Sequence, residues 1–205
     1  MRGGSEGGVT ARGRKQALRA GALRKRRSVD REELAALSSR VEANLLSTKE
    51  YKGATLLISY CAKEDEVQTR PIIERALAEG KRVAVIVTDV ASKTLSFSEI
   101  KSFKDDLAPG AFRILEPKPG RIRPVSIAQA DVVLVPLVAW DSKGHRLGYG
   151  AGYFDRALAG AKAITKVGLA LESQRLAHIP ASRHDVPLDV IVTERRVVRP
   201  SKRRS

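Results

Sequence analysis

An apolar run, Val132-Val133-Leu134-Val135, leads into a long loop with glycines at 148, 150 and 152. The loop ends in a segment of helical spacing, Tyr153 to Leu158. A short, continuous apolar run bounded by turn residues predicts a buried strand. A strand, a glycine-rich loop and a helix start in that order suit a bound phosphate. Glycines let backbone N–H groups approach an anion, and the helix dipole favours negative charge at its N-terminus. Arg146 and Arg156 flank the loop with positive charge. The spacing G-x-G-x-G is neither the dinucleotide fingerprint nor the P-loop. The glycines alone therefore fit a phosphate site or a plain chain reversal.

The rest of the chain alternates strand and helix signals. Ala11 to Arg27 reads as a helix rich in Ala, Leu, Lys and Arg, with Lys15 and Arg19 on one face. Asp30-Arg31-Glu32-Glu33 resembles a capping box, with Asp30 as N-cap and a helix from about Arg31 to Leu46. Ala54 to Tyr60 predicts the first buried strand, and the polar stretch Tyr60 to Thr69 leaves it as a loop. Pro71 suits the first turn of a helix that reaches about Ala78 and stops at Gly80. Further strands are predicted at Arg82–Thr88, Asp131–Val135, Lys166–Leu171 and Asp189–Thr193, with a helix at Tyr153–Gly160. Residues 89–124 are the least regular, with a short edge strand expected at Leu95–Phe97. Core packing is expected for Phe97 and Phe103. This alternation predicts an α/β fold: a single three-layer domain, a mostly parallel open sheet with helices on both faces.

Charge is concentrated at the ends. Of the formal net +15, residues 1–31 carry +8 and residues 194–205 carry +5, leaving +2 over 32–193. The sequence thus divides into a basic disordered tail at 1–10, an α/β domain at 11–194 and a basic C-terminal tail at 195–205. Basic tails allow weak, salt-sensitive contact with polyanions, whereas a nucleic-acid binder would place the charge on a folded face. One cysteine, Cys61, excludes an intrachain disulfide and a cysteine-based zinc site. His145, His178 and His184 lack metal-ligand spacing. No apolar run is long enough to span a bilayer, and the first residues lack a secretory apolar core. The expectation is a soluble cytoplasmic protein, with no membrane partner.

Arg146-Leu147-Gly148-Tyr149-Gly150-Ala151-Gly152-Tyr153-Phe154-Asp155-Arg156 resembles the signature of the 5-formyltetrahydrofolate cyclo-ligase family, R-L-G-x-G-x-G-Y-Y-D. Phe154 replaces the second tyrosine, and Ala151 stands where relatives often have Gly or Lys. Lys15-Gln16-Ala17-Leu18-Arg19 is similar to the family's N-terminal K-x-x-x-R. Tyr60, Glu66 and Thr69 match its Y-x-x-x-x-x-E-x-x-T. Phe112-Arg113-Ile114-Leu115-Glu116-Pro117 matches F-G-I-x-E-P except for Arg113 in place of glycine. His184 to Glu194 is also similar.

The resemblance implies a function. ATP would drive cyclisation of 5-formyltetrahydrofolate to 5,10-methenyltetrahydrofolate through a phosphorylated formyl group, releasing ADP and phosphate. It implies ATP binding by residues 15–19 and by the run Arg146-Leu147-Gly148-Tyr149-Gly150-Ala151-Gly152-Tyr153-Phe154. Folate binding would fall to Glu66, Cys61 and the loop residues Tyr149 to Tyr153, with Glu66 taking the donor-rich pterin. For Glu66 the plainer alternative is a first-turn helix acid, and for Cys61 a packed core thiol. Arg146 and Tyr153 would serve the reacting groups. Mg2+ would sit on Asp155 and Asp189, which otherwise read as a helix acid and a strand-start residue. Two other functions stay open: a basic nucleic-acid-associated protein on this fold, and a diverged relative without cyclo-ligase activity. A monomer is favoured.

Overall fold

A computed structural model of the protein describes residues 10–161 and 163–201. The expected N-terminal tail lies outside the described residues apart from Thr10. Thr10 is the N-cap of helix α1 (Ala11–Arg27), and its hydroxyl accepts from the Gly13 N–H. Four basic residues, Arg24 to Arg27, fill the last turn, where the helix dipole favours cations. Helix α2 (Arg31–Ser47) starts at Asp30, whose carboxylate accepts from the Glu33 N–H at 2.8 Å. Only this half of the expected capping box is formed among the described hydrogen bonds. Helices α3 (Lys49–Gly53), α4 (Arg70–Ala78), α5 (Phe103–Asp106) and α6 (Tyr153–Leu158) follow.

Five parallel strands form the middle of an eight-stranded sheet. Their spatial order is Arg82–Asp89, Leu56–Ser59, Val132–Val135, Thr165–Leu169, Val190–Val192. The chain first steps one way, from Leu56–Ser59 to Arg82–Asp89, and then returns to build outward on the other side. The reversal lies between Leu56–Ser59 and Val132–Val135, which pair directly. In open α/β sheets the crevice at such a switch point is where ligands bind.

Burial on both faces explains the near-continuous apolar strands. Val132 and Leu134 face α2, α3 and α4 in one cluster with Leu45, Tyr51 and Ile73. Val133 and Val135 face the other side, with Trp140, Leu158 and Leu188. A third, smaller cluster packs α1 through Ala22 onto Val138, Ala139, Leu147 and Ile179.

Two expectations need correcting. The short edge strand at Leu95–Phe97 is instead Thr94–Ile100, antiparallel to Arg82–Asp89 and covered on its far side by Pro124–Val125. Residues 195–200 are not a free tail. Val197–Val198 pairs antiparallel with Val190–Val192, and Arg196 and Arg199 are held by Glu172 and Glu50. Phe97 is buried in one core cluster, and half-buried Phe103 packs against the other. Among the described residues no helix is long and apolar enough to cross a membrane.

Asp106 fastens the turn after Thr94–Ile100. It accepts from the Lys101 N–H at 2.7 Å and from Arg123 Nη1 at 2.9 Å. Burial pushes its carboxyl up, but Arg123 and the neighbouring amides outweigh burial and hold it at about 2 against an ordinary 3.8. A depressed folded-state value stabilises fully above the unfolded value and is lost as pH falls through the folded one. The urea midpoint should therefore drop between about pH 4 and about pH 2. Asp106→Asn should be less stable at neutral pH and show a smaller drop over that window.

Candidate functional site

A cavity of about 950 Å³ opens at the carboxyl ends of the central strands. Its floor is Tyr60 and Cys61 after the first strand and Pro136 after the central one. One wall is a face of α1 made by Arg12, Lys15, Gln16 and Arg19, spaced for a single helical face. The opposite side is Phe112 and Ile114 to Glu116, and the roof is the stretch Arg146 to Asp155.

The glycine loop begins in a hairpin, Ala139–Trp140 against Arg146–Leu147. Buried Asp141 ties the turn by accepting from the N–H groups of Lys143, His145 and Ile179 and by bonding the His145 ring. Gly150 sits at φ 102°, and a Cβ there would meet the Arg19 guanidinium at 3.3 Å. Gly152, at φ 71°, is the N-cap of α6. That helix has six residues, so its dipole is a small part of the field. Side-chain cations supply more. Arg19 Nε donates to the Gly148 carbonyl at 2.7 Å, and Lys15 pairs with Asp185. Burial pushes the Asp185 carboxyl up, but Lys15 and the Ser182 N–H prevail and keep it below the usual range.

Arg146 is buried beneath the loop. It donates to Asp155 Oδ1 at 2.8 Å and to the Val186 carbonyl. Burial draws its pKa below the ordinary 12.5, against the pull of Asp155. Asp155 Oδ1 also accepts from the Val186 N–H, and Oδ2 has no partner among the described residues. Asp155 thus offers one oxygen to a cation at the cavity wall. A magnesium ion on nucleotide phosphates needs only one or two carboxylates plus water, so Asp155 fits. Asp189 does not fit. Its carboxylate is held by the Lys166 N–H and ammonium at 3.0 and 2.8 Å, at the start of Thr165–Leu169 and off the cavity wall. The expected pair of metal carboxylates is not brought together, and no cluster of three or more metal-ligating side chains occurs among the described residues.

Glu66 is buried at 5% exposure, yet lines the cavity. Oε2 accepts from the Lys63 N–H at 2.8 Å, and Oε1 accepts from the Tyr149 hydroxyl at 2.5 Å. Thr69 stitches this loop, donating to the Tyr60 carbonyl at 2.6 Å and accepting from the Ala62 N–H at 3.1 Å. The spacing of Tyr60, Glu66 and Thr69 is thus a fold requirement as well as a site pattern. Cys61 belongs to both the core and the wall. Burial pushes its thiol up to about 12, which makes it an apolar surface and no nucleophile near neutral pH.

Of the expected residues 15–19, Lys15, Gln16 and Arg19 reach the cavity, and Ala17 and Leu18 do not. Leu18 packs on the third cluster instead. Arg146 to Asp155 all line the cavity, including Tyr153 and Phe154. Arg12, Lys63, Phe112 and Asp185 were not expected there. Arg12 shared the helical face of Lys15, and Asp185 lay within a family-like stretch, so both carried a signal. Phe112 is 58% exposed at the mouth, and it and Arg113 both have positive φ, 55° and 60°. Left-handed backbone at a non-glycine residue costs roughly 1 kcal/mol.

Fold and cavity together define a doubly wound α/β protein with a cavity under a glycine loop, lined by the cations of one helix face and by a buried carboxylate. Residues 11–194 match the 5-formyltetrahydrofolate cyclo-ligase family, and the chain belongs to that family. It is 33% identical to the 5-formyltetrahydrofolate cyclo-ligase of Mycolicibacterium smegmatis over 187 residues, covering 89% of this chain and 94% of that one. The Haemophilus influenzae cyclo-ligase is 30% identical over 152 residues, covering 73% and 80%. The NMR structure of Aquifex aeolicus 5,10-methenyltetrahydrofolate synthetase superposes with a TM-score of 0.81 at 36% identity, covering 93% of this chain and 95% of that one.

Gly150→Ala should strain the loop and crowd Arg19. The expected loss is about 1–2 kcal/mol in denaturant unfolding, with weaker nucleotide binding. Unchanged stability would show that the loop tolerates a side chain at that φ.

Proposed function

We propose that the protein is an ATP-dependent 5-formyltetrahydrofolate cyclo-ligase. The observation that carries this reading is the joining of two chemistries in one cavity of a chain from this family. The glycine loop with Lys15 and Arg19 suits phosphates, and Glu66 suits a ring rich in N–H donors.

A formamide is a poor electrophile. Moving the γ-phosphoryl group of ATP to the formyl oxygen turns that oxygen into a leaving group. N10 of the folate then bonds to the formyl carbon, the C–O bond breaks, and phosphate departs with the oxygen. The products are 5,10-methenyltetrahydrofolate, ADP and phosphate. Such a reaction needs positioning and charge neutralisation more than acid–base groups. Lys15, Arg19 and the loop N–H groups would hold the phosphates. Arg146, committed to Asp155 and Val186, would set the loop's position and field. Tyr153, at the loop's end, would pack beside the formyl group, and Cys61 and Phe112 would close on the flat ring. Glu66 would orient the pterin. Mg2+, when bound at Asp155, would neutralise phosphate charge.

A nucleic-acid scaffold on the same fold has less support. Lys15 and Arg19 face the cavity, and Arg196 and Arg199 are engaged by Glu172 and Glu50.

Separate effects on the two ligands test the assignment. Lys15→Ala should raise the KM for ATP about tenfold or more with the folate KM within about twofold. Glu66→Gln should do the reverse. Equal losses of both ligands in both variants would contradict this division of roles.

A further inference from the structure

Arg26, in the last turn of α1, is a buried charge near the cavity, 3% exposed. It does not line the cavity. Nη2 donates to Asp65 Oδ2 at 2.7 Å and to the Tyr149 hydroxyl at 2.8 Å. Nε reaches the same Asp65 oxygen at 3.1 Å, and Nη1 reaches the Leu137 carbonyl at 3.4 Å. Nη1 also stands 3.8 Å from Glu66 Oε1. One guanidinium thereby joins α1, the exit of the central strand, the Glu66 loop and the glycine loop.

Glu66 needs such a partner. A buried carboxylate is costly unless it is paired and hydrogen-bonded. Arg26 is the cation in ion-pair range of it among the described residues. The other groups facing Glu66 do not replace it. Asp65 is a second anion. Burial raises the phenol pKa of both Tyr60 and Tyr149, keeping them neutral. Lys63 offers its backbone N–H to Glu66, while its ammonium lies over the Tyr149 ring, 4.5 Å from the centroid.

Tyr149 occupies Oε1 of Glu66, the oxygen left over once Lys63 has taken Oε2. An incoming ring N–H needs that same oxygen. Tyr149 is 43% exposed and stands between Gly148 and Gly150, which give its backbone room to turn. Its hydroxyl is therefore an exchangeable donor.

We propose that Arg26 is a positioning residue of the folate site, holding the Glu66 loop and the glycine loop together so that Glu66 stays aimed at the cavity while the Tyr149 hydroxyl gives way to the ring's N–H donors. This rests on the cyclo-ligase reading. Without Arg26, Asp65, Tyr149 and the Leu137 carbonyl lose the guanidinium that joins them, and the buried Glu66 loses its nearby cation.

The test is direct binding of 5-formyltetrahydrofolate by titration calorimetry on the full chain. ATP affinity and thermal midpoint are measured alongside. Arg26→Met should bind the folate about tenfold more weakly or worse, with ATP affinity within about twofold. Arg26→Lys should recover part of the loss. Tyr149→Phe should bind the folate a few-fold tighter, since the competing hydroxyl is gone, and it carries the test if Arg26→Met fails to fold. An Arg26→Met variant with wild-type folate affinity overturns the inference and leaves the cyclo-ligase reading intact. So does parallel loss of folate and ATP in Arg26→Met and Arg26→Lys, or weaker folate binding by Tyr149→Phe. Wild type that binds no 5-formyltetrahydrofolate overturns the functional reading, and the inference with it.

Discussion

The pairing of Val132–Val135 with a parallel neighbour on each side is the constraint on which the rest depends. Parallel pairing sends every central strand out of the sheet at the same edge. The loops that leave at that edge are the ones that carry Cys61, Glu66 and the glycine run. The order reversal beside this strand opens a crevice there and nowhere else along the parallel set. Both faces of the strand are buried, so its apolar side chains are fixed by two cores at once. Asp131 fixes the register at the other end, accepting from the Thr55 and Leu56 N–H groups at 2.8 and 2.9 Å.

The cavity is closed by a helix from the far end of the chain. Helix α1 packs on the hairpin before the glycine loop through a small apolar patch, and its polar contacts do the rest of the fastening. Lys15 meets Asp185, Arg19 meets the Gly148 carbonyl, and Arg26 meets Asp65 and Tyr149. Each of these contacts involves a group also suited to ligand. Phosphates would compete with Asp185 for Lys15, and a pterin would compete with Tyr149 for Glu66. Exchange of one partner for another avoids leaving a buried charge alone, which is the costly event.

Much of this was legible in the sequence where a local rule decides. Apolar runs marked the parallel strands, and Asp30 and Pro71 marked helix starts within a residue or two, whereas the Thr10 cap falls in the stretch expected to be tail. The glycine loop was legible because φ near 102° and 71° at 150 and 152 demands glycine. Local rules failed where a distant partner decides. Thr94–Ile100 gains its length from Arg82–Asp89 and its cover from Pro124–Val125. Val197–Val198 becomes a strand only because Val190–Val192 has a free edge. Asp189 read as a metal carboxylate from its likeness to relatives, whereas here its carboxylate accepts from the N–H and ammonium of Lys166, off the cavity wall. Arg26 looked like one more cation in a basic helix, since nothing in α1 foretells that Asp65 and Tyr149 meet it from positions 39 and 123 residues away.

The central claim is that one cavity joins a phosphate donor to a formyl group and closes a ring. The most direct measurement is the absorbance of 5,10-methenyltetrahydrofolate as it forms from 5-formyltetrahydrofolate and Mg-ATP on the purified protein. Controls omit ATP or add chelator, and ADP is quantified in parallel. The account predicts product that requires both ATP and magnesium, with one ADP released per ring closed. Folded protein that binds ATP yet forms no methenyl product, or forms it without consuming ATP, would contradict it.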